Sequence, residues 1–146
     1  MAGNVIYRGP ITTQPRTVNK PVAGAYLPGT FVEETATELV QITTALAKRP
    51  LLLMNMDFKD QDVATAYADE DTGIALELEP GMVVQARVAA ATYAKGAPLT
   101  VAASGRLAAA TAATVVVAFF DDTPGAKSAG DLVDVIIANS YTVPAA

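Results

Sequence analysis

The amino-acid sequence predicts an all-β fold, a small antiparallel β-barrel or sandwich with an extended N-terminal arm, on three observations. Stretches of strand length alternate in character, so that Ile74, Leu76 and Leu78 lie on one face and Ala75, Glu77 and Glu79 on the other. A short unit recurs: a glycine, one free position, then two apolar residues or a proline and an apolar residue. It is found as Gly29-Thr30-Phe31-Val32, Gly81-Met82-Val83-Val84, Gly96-Ala97-Pro98-Leu99 and Gly130-Asp131-Leu132-Val133. Glycine supplies the positive φ of a tight turn there, and the apolar pair carries the chain into the core. Finally, Pro10, Pro15, Pro21, Gly3, Gly9 and Gly24 crowd residues 1–24, which rules out a helix or a central strand for that segment.

With 146 residues, one compact domain is expected: an arm over 1–24 and a single barrel-like domain over 25–146. The body reads as strands in order. A Pro28-Gly29 turn precedes Phe31 and Val32. Val40, Ile42 and Thr43 are β-branched; Leu39, Ile42 and Leu46 would also line one face of a helix, but Thr43-Thr44 favours strand over 37–48. The run Leu51-Leu52-Leu53-Met54 suits a buried strand, and 58–72 leaves room for one short helical turn. Val84, Ala86 and Val88 oppose Gln85 and Arg87. Pro98 to Ala109 reads as a hairpin with Ser104-Gly105 at its tip. Residues 114–120 and 131–137 finish the sheet, with Asp121-Asp122-Thr123-Pro124-Gly125 as a turn between them.

Composition narrows the chemistry. The chain has no cysteine and no histidine, which excludes thiolate chemistry, Ser-His-Asp and Cys-His pairs, and an ordinary zinc site. Three clusters of residues carry other possibilities. Asp57, Asp60, Asp62, Asp69, Glu70 and Asp71 offer oxygen ligands, but lack the terminal Glu of a calcium loop and read as a solvated loop. Asp121-Asp122 could form an acid/base couple, yet Asp-x-Pro-Gly is ordinary turn chemistry. Gly125 to Gly130 (GAKSAG) lacks the glycine spacing of a phosphate loop. No catalytic residue, cofactor or metal is expected, and the chain reads as a non-enzyme. The N-terminus lacks the layout of a signal peptide, and no apolar run reaches the length of a membrane helix; a soluble protein without a membrane partner is expected.

The net charge of −5 argues against nucleic-acid binding. It is unevenly placed: residues 1–32 hold Arg8, Arg16 and Lys20 without an acid, and all fifteen acids follow. A basic segment on an acidic body suggests that the segment touches something acidic.

The stretches AGAYLPGTFVE, LEPGMVVQARVA, YAKGAPLTVAASGRLA and VVVAFFDDTPGAKSAGDLVDVII carry a resemblance. Together, over roughly 22–138, they resemble the head decoration (cement) proteins of tailed bacteriophages. Gly130, Asp131 and Val133 match that family's closing glycine–aspartate–valine element, and Gly96 and Leu99 its preceding element. The resemblance implies a virion structural protein on the outer surface of the capsid, clamping major capsid protein subunits as a homo-oligomer, dimer or trimer. Family members often grip the shell through an extended terminus. On that basis Val5, Ile6, Tyr7 and Ile11 would supply apolar contact, and Arg8, Arg16 and Lys20 would meet acidic groups on the shell. The acidic insert around 57–73 departs from the family pattern and has no role assigned by it. Two other readings stay open: another phage structural component, such as a head fibre base or tail protein, and a β-barrel ligand-binding module.

Overall fold

Gly29, Gly81, Gly96 and Gly130 all adopt φ between +79° and +90°, and a strand begins two residues after each. The turns at 79–82, 94–97 and 128–131 close with a bond from the fourth N–H to the first carbonyl, at 3.1–3.2 Å. The recurring unit is thus a turn that launches a strand.

The computed structural model describes residues 3–10 and 14–144. In its first half lie β1 (Tyr7–Gly9), β2 (Thr17–Pro21), β3 (Phe31–Glu34), β4 (Leu39–Gln41), β5 (Leu51–Leu53) and β6 (Thr72–Glu77). The second half adds β7 (Val83–Arg87), β8 (Ala91–Tyr93), β9 (Pro98–Val101), β10 (Leu107–Ala109), β11 (Val115–Phe120), β12 (Gly125–Lys127) and β13 (Leu132–Thr142). The ladders are antiparallel. One sheet runs β1-β7-β13-β11-β9-β10, a second runs β2-β6-β5-β3-β4, and β8 pairs with β12 as a ribbon. Each large sheet curls until distant strands touch through one parallel bridge, Val88 to Leu107 in the first and Val22 to Leu39 in the second. Among the described residues neither closes into a barrel with a continuous ladder.

The predicted alternation of β7 holds: Val84, Ala86 and Val88 are fully buried in the larger core. The hairpin β9–β10 pairs Leu107 with Val101, and its tip carries positive φ at both Ser104 and Gly105. Residues 37–48 contribute β4 and turns rather than a helix; Leu46, which a helical face would have buried, is exposed. The helical turn allowed for 58–72 is a single 3-10 turn at Asp57–Lys59.

The centre of the second sheet is buried on both faces. Phe31, Leu52 and Leu76 enter the larger core, while Val32, Leu51, Leu53 and Ala75 enter a smaller one with Val22, Leu39, Met56 and Tyr67. Ala75 therefore departs from its expected place on a polar face. The segment between β5 and β6 covers that face with Met56 and Tyr67, so the alternation there is apolar against apolar. Gly73 lies within this smaller core: a Cβ would stand 2.7 Å from Val22 Cγ1 and 3.2 Å from Leu53 Cδ1. Gly73→Ala is expected to cost about 1–3 kcal/mol by overpacking, and less in a Val22→Ala background, where the obstructing methyl is gone. Equal costs in both backgrounds by urea denaturation would contradict this packing.

The N-terminal segment is where expectation and structure part. It is extended, as its prolines require, but it does not stand apart as an arm. β1 pairs with β7 and β2 with β6, from Thr17↔Leu76 to Pro21↔Thr72. Ile6 and Val22 are fully buried. Both strands occupy sheet edges, where proline is tolerated because its missing N–H faces no neighbour.

Candidate interaction surfaces

Of the seven residues expected to grip a shell, the structure turns most toward the protein itself. Ile6 is a core residue, which removes it as a contact. The N-terminal strand is also held by Gln85, itself 1% exposed. The Gln85 side-chain amide donates to the carbonyls of Gly3 and Val5, both at 2.6 Å, and accepts from Gly3 N at 3.1 Å. Gln85 was legible only as a residue on the non-core face of β7; what covers that face is 80 residues away in sequence. Tyr7 is half-buried against the larger core, and its hydroxyl donates to Pro10 O. Ile11 lies outside the described residues. Val5 remains exposed.

The basic residues find their acids within the chain. Arg8 lies 3.4 Å from Asp134, Arg16 3.2 Å from Glu77, and Lys20 2.9 Å from Glu34. Lys20 also donates to Thr35 O at 2.7 Å. Arg49 joins Glu77 and Glu34 into the same network. The uneven charge of the sequence is therefore met between β1 and β13 and across β2, β3 and β6. Exposed pairs of this kind are each worth about 0–1 kcal/mol, so they orient the strands more than they hold them. Arg16, whose side chain is 80% exposed, stays accessible to a partner.

The carboxylate pair at 121–122 is built into its turn. Asp121 pairs with Lys95 at 2.7 Å. Asp122 accepts from Asp134 N at 2.9 Å and from Thr123 N at 2.7 Å. Burial pushes Asp122 upward, but these N–H donors and nearby Lys127 outweigh it and hold the group below the ordinary aspartate value. Asp134 moves the other way: burial raises it, Arg8 opposes, and Asp122 and Asp121 add to the rise. GAKSAG supplies β12 through Gly125–Lys127, paired with β8, whose Tyr93 stacks on Phe120 with ring centroids 5.3 Å apart, and so forms a strand where a phosphate cradle would need a loop. Among the described residues no group of three Asp or Glu side chains is placed to hold a metal ion.

The acidic segment between β5 and β6 is an ordered cover. The Tyr67 hydroxyl donates to Met54 O, and burial raises its pKa. Asn55 Nδ2 donates to Gln61 O at 3.0 Å, and Gln61 Oε1 accepts from Met56 N at 2.8 Å. From outside, Arg87 donates to Val63 O, to Pro28 O at 2.8 Å and to Gly130 O at 2.7 Å, while Asn4 Oδ1 accepts from Val63 N at 3.0 Å. Phe58 projects from this frame 69% exposed, the most exposed of the large apolar side chains among the described residues. The same segment forms most of a cavity of about 360 Å³ lined by Met56, Lys59, Asp60, Tyr67 and Asp71, among others.

A scan against known protein-family models finds no match to the chain, and a search of curated proteins finds none either. No helix among the described residues is long and apolar enough to cross a membrane.

Proposed function

We propose that this chain is a virion structural protein that decorates the outer surface of a phage head and bridges major capsid protein subunits. The observation that carries the reading is the four-glycine turn pattern at Gly29, Gly81, Gly96 and Gly130. The resemblance to head decoration proteins rests on these stretches, and each glycine has the positive φ that the pattern calls for. A protein of this kind works by buried area and copy number. Asp121 and Asp122 are engaged by their own turn and by Lys95. Modest affinity per copy suffices where a homo-oligomer engages a repeating lattice, because linked contacts multiply effective affinity.

The N-terminal residues contribute less to such binding than their sequence suggested. Val5, Arg8 and Arg16 stay exposed, the two arginines within reach of Asp134 and Glu77, while Ile6 is buried and Lys20 is engaged by Glu34. The test is mass analysis of purified virions separated into heads and tails. The protein is expected on heads, in fixed ratio to the major capsid protein, and stripped heads should disrupt at lower temperature than decorated ones, since a ligand of the intact shell stabilises it. Recovery on tails, or identical disruption curves, would overturn the reading.

A further inference from the structure

The last strand of the larger sheet outruns its neighbour. β13 continues to Thr142, but β7 pairs with it only as far as Val83↔Ile136, and a bond from Gly81 N to Ile137 O ends that side. On the opposite side β11 stays in register through Val116↔Tyr141 and Val115↔Thr142. Val143 N donates to Thr114 O at 2.8 Å and Val143 O accepts from Ala113 N at 3.0 Å, both toward β11. Backbone groups alternate in direction along an antiparallel strand. Those of Ser140 and Thr142 therefore point to the side where, among the described residues, no strand follows. Such an edge is a template for a further strand, and proteins usually guard it with charge, proline or a cover. The other edges of the two large sheets are guarded in this way. β1 carries Arg8, β2 carries Lys20 and Pro21, and β4 and β10 are bridged by Val22 and Val88. From Val135 to Ala146 the sequence has no charged residue, and Asn139, Ser140, Tyr141 and Thr142 are all exposed. A groove of about 240 Å³ runs beside this edge, lined by Asn139 and Ser140 together with Pro50, Leu78 and Pro80, none of them buried.

We infer that the free edge of β13 pairs with the same edge of a second copy of this chain, antiparallel about a two-fold axis at Tyr141. A two-fold axis brings identical strands together antiparallel, and the backbone directions set the register. Ser140 exchanges its backbone bonds with the second copy's Thr142, and Thr142 with the second copy's Ser140. Tyr141 then lies opposite the second copy's Tyr141 in the closer, non-hydrogen-bonded kind of pair, where facing aromatic side chains stabilise a sheet. In the single chain Tyr141 is 46% exposed. The same register carries the second copy's Val143 and Pro144 past Asn139 and Ala138, so the groove with Pro50, Leu78 and Pro80 receives them. The ladder stops there, because Pro144 has no N–H to donate. A strand without charge is also one that can face itself, since like charges directly opposite would push two copies apart. The capsid reading calls for an oligomer but for no particular interface, and this interface is a property of the purified protein alone.

Sedimentation equilibrium of the full-length protein, without heads, is expected to show a reversible dimer of twice 15.0 kDa. Thr142→Pro removes an outward N–H and leaves the bonds to β11 in place. It should keep the wild-type circular dichroism and weaken the dimer by about tenfold or more. Tyr141→Lys sets like charges across the axis and should weaken the dimer to a similar degree, with partial recovery in salt. The chain has no cysteine, so single-cysteine variants read the register. Tyr141→Cys should oxidise to a covalent dimer, because directly opposed residues hold their Cβ atoms about 4.5–5.5 Å apart. Leu46→Cys, also exposed, should remain a monomer on a denaturing gel. A monomer at every concentration up to the limit of solubility overturns the inference. So does a trimer, a dimer that Thr142→Pro or Tyr141→Lys leaves unchanged, or cross-linking at Leu46 without cross-linking at Tyr141. Should Thr142→Pro fail to fold, Tyr141→Lys and the two cysteine variants decide. A monomer that still decorates heads removes this interface and leaves the capsid reading standing; a dimer centred on Tyr141 that binds no heads does the reverse.

Discussion

Ile6→Ala is expected to lower the stability of the free protein by about 2–5 kcal/mol, the usual cost of emptying a core isoleucine site. At about 2–5 °C per kcal/mol for a chain of this size, the melting temperature should fall by roughly 10 °C. Ile6 is fully buried among Val84, Val135 and the other residues of the larger core. It also sits between two sets of polar contacts that fix its strand. Gln85 N donates to Ile6 O at 2.8 Å, and the Gln85 side chain spans Gly3 and Val5. Removing residues 1–9 should cost more than Ile6→Ala. It uncovers the same core site and strips a buried amide of its partners, which adds about 1–3 kcal/mol for each group left unmet. Val5→Ala, next door but exposed, should stay within about 0.5 kcal/mol. Urea denaturation of the three variants decides the matter. An Ile6→Ala variant as stable as Val5→Ala would mean that the N-terminal segment is a free arm after all, available to a shell.

The contrast between β1 and β7 shows what was legible in the sequence. The inward face of β7 could be read because Val84, Ala86 and Val88 repeat with the period of a strand, a local property. The turns could be read because only glycine reaches their φ without strain, and each is followed by its apolar pair. The extended course of the described residues before Val22 followed from proline in the same way. Where that segment lies did not follow, since β1 and β2 pair with strands more than fifty residues away, and no local pattern records a distant partner. The charge imbalance was visible as well, but Glu34, Glu77 and Asp134 become its answer only once the strands are side by side. The acidic segment was legible in part, since its six acids are exposed as a solvated loop requires. Its composition reads as solvated, yet Met56 and Tyr67 anchor it over the outer face of the second sheet, and the decisive tie comes from an arginine on another sheet.

That arginine carries the other large effect. Arg87→Met is expected to destabilise the fold by on the order of 3 kcal/mol and to free the acidic segment before the protein unfolds. Arg87 lies at the end of β7 on the face away from the larger core. Its three donors reach three separate loops, through Pro28 O, Gly130 O and Val63 O. Among the described residues no carboxylate lies within 4.0 Å of it. Burial pushes the guanidinium below its ordinary pKa; Arg106 nearby adds to this and Asp131 opposes it. The charge is instead met by carbonyl dipoles, an arrangement suited to a planar fork with donors on several edges. Lysine at this position keeps the charge but presents it from one point, so it cannot satisfy three diverging carbonyls at once. Arg87→Lys should therefore retain more than half of the loss seen in Arg87→Met, where a purely electrostatic role would restore nearly all of it. Hydrogen exchange separates a local from a global effect. Amides of 60–66 should exchange faster in both variants under conditions where those of β11 and β13 stay protected. If lysine restores full stability, or if exchange rises equally throughout, Arg87 is not the tie that holds the acidic segment in place.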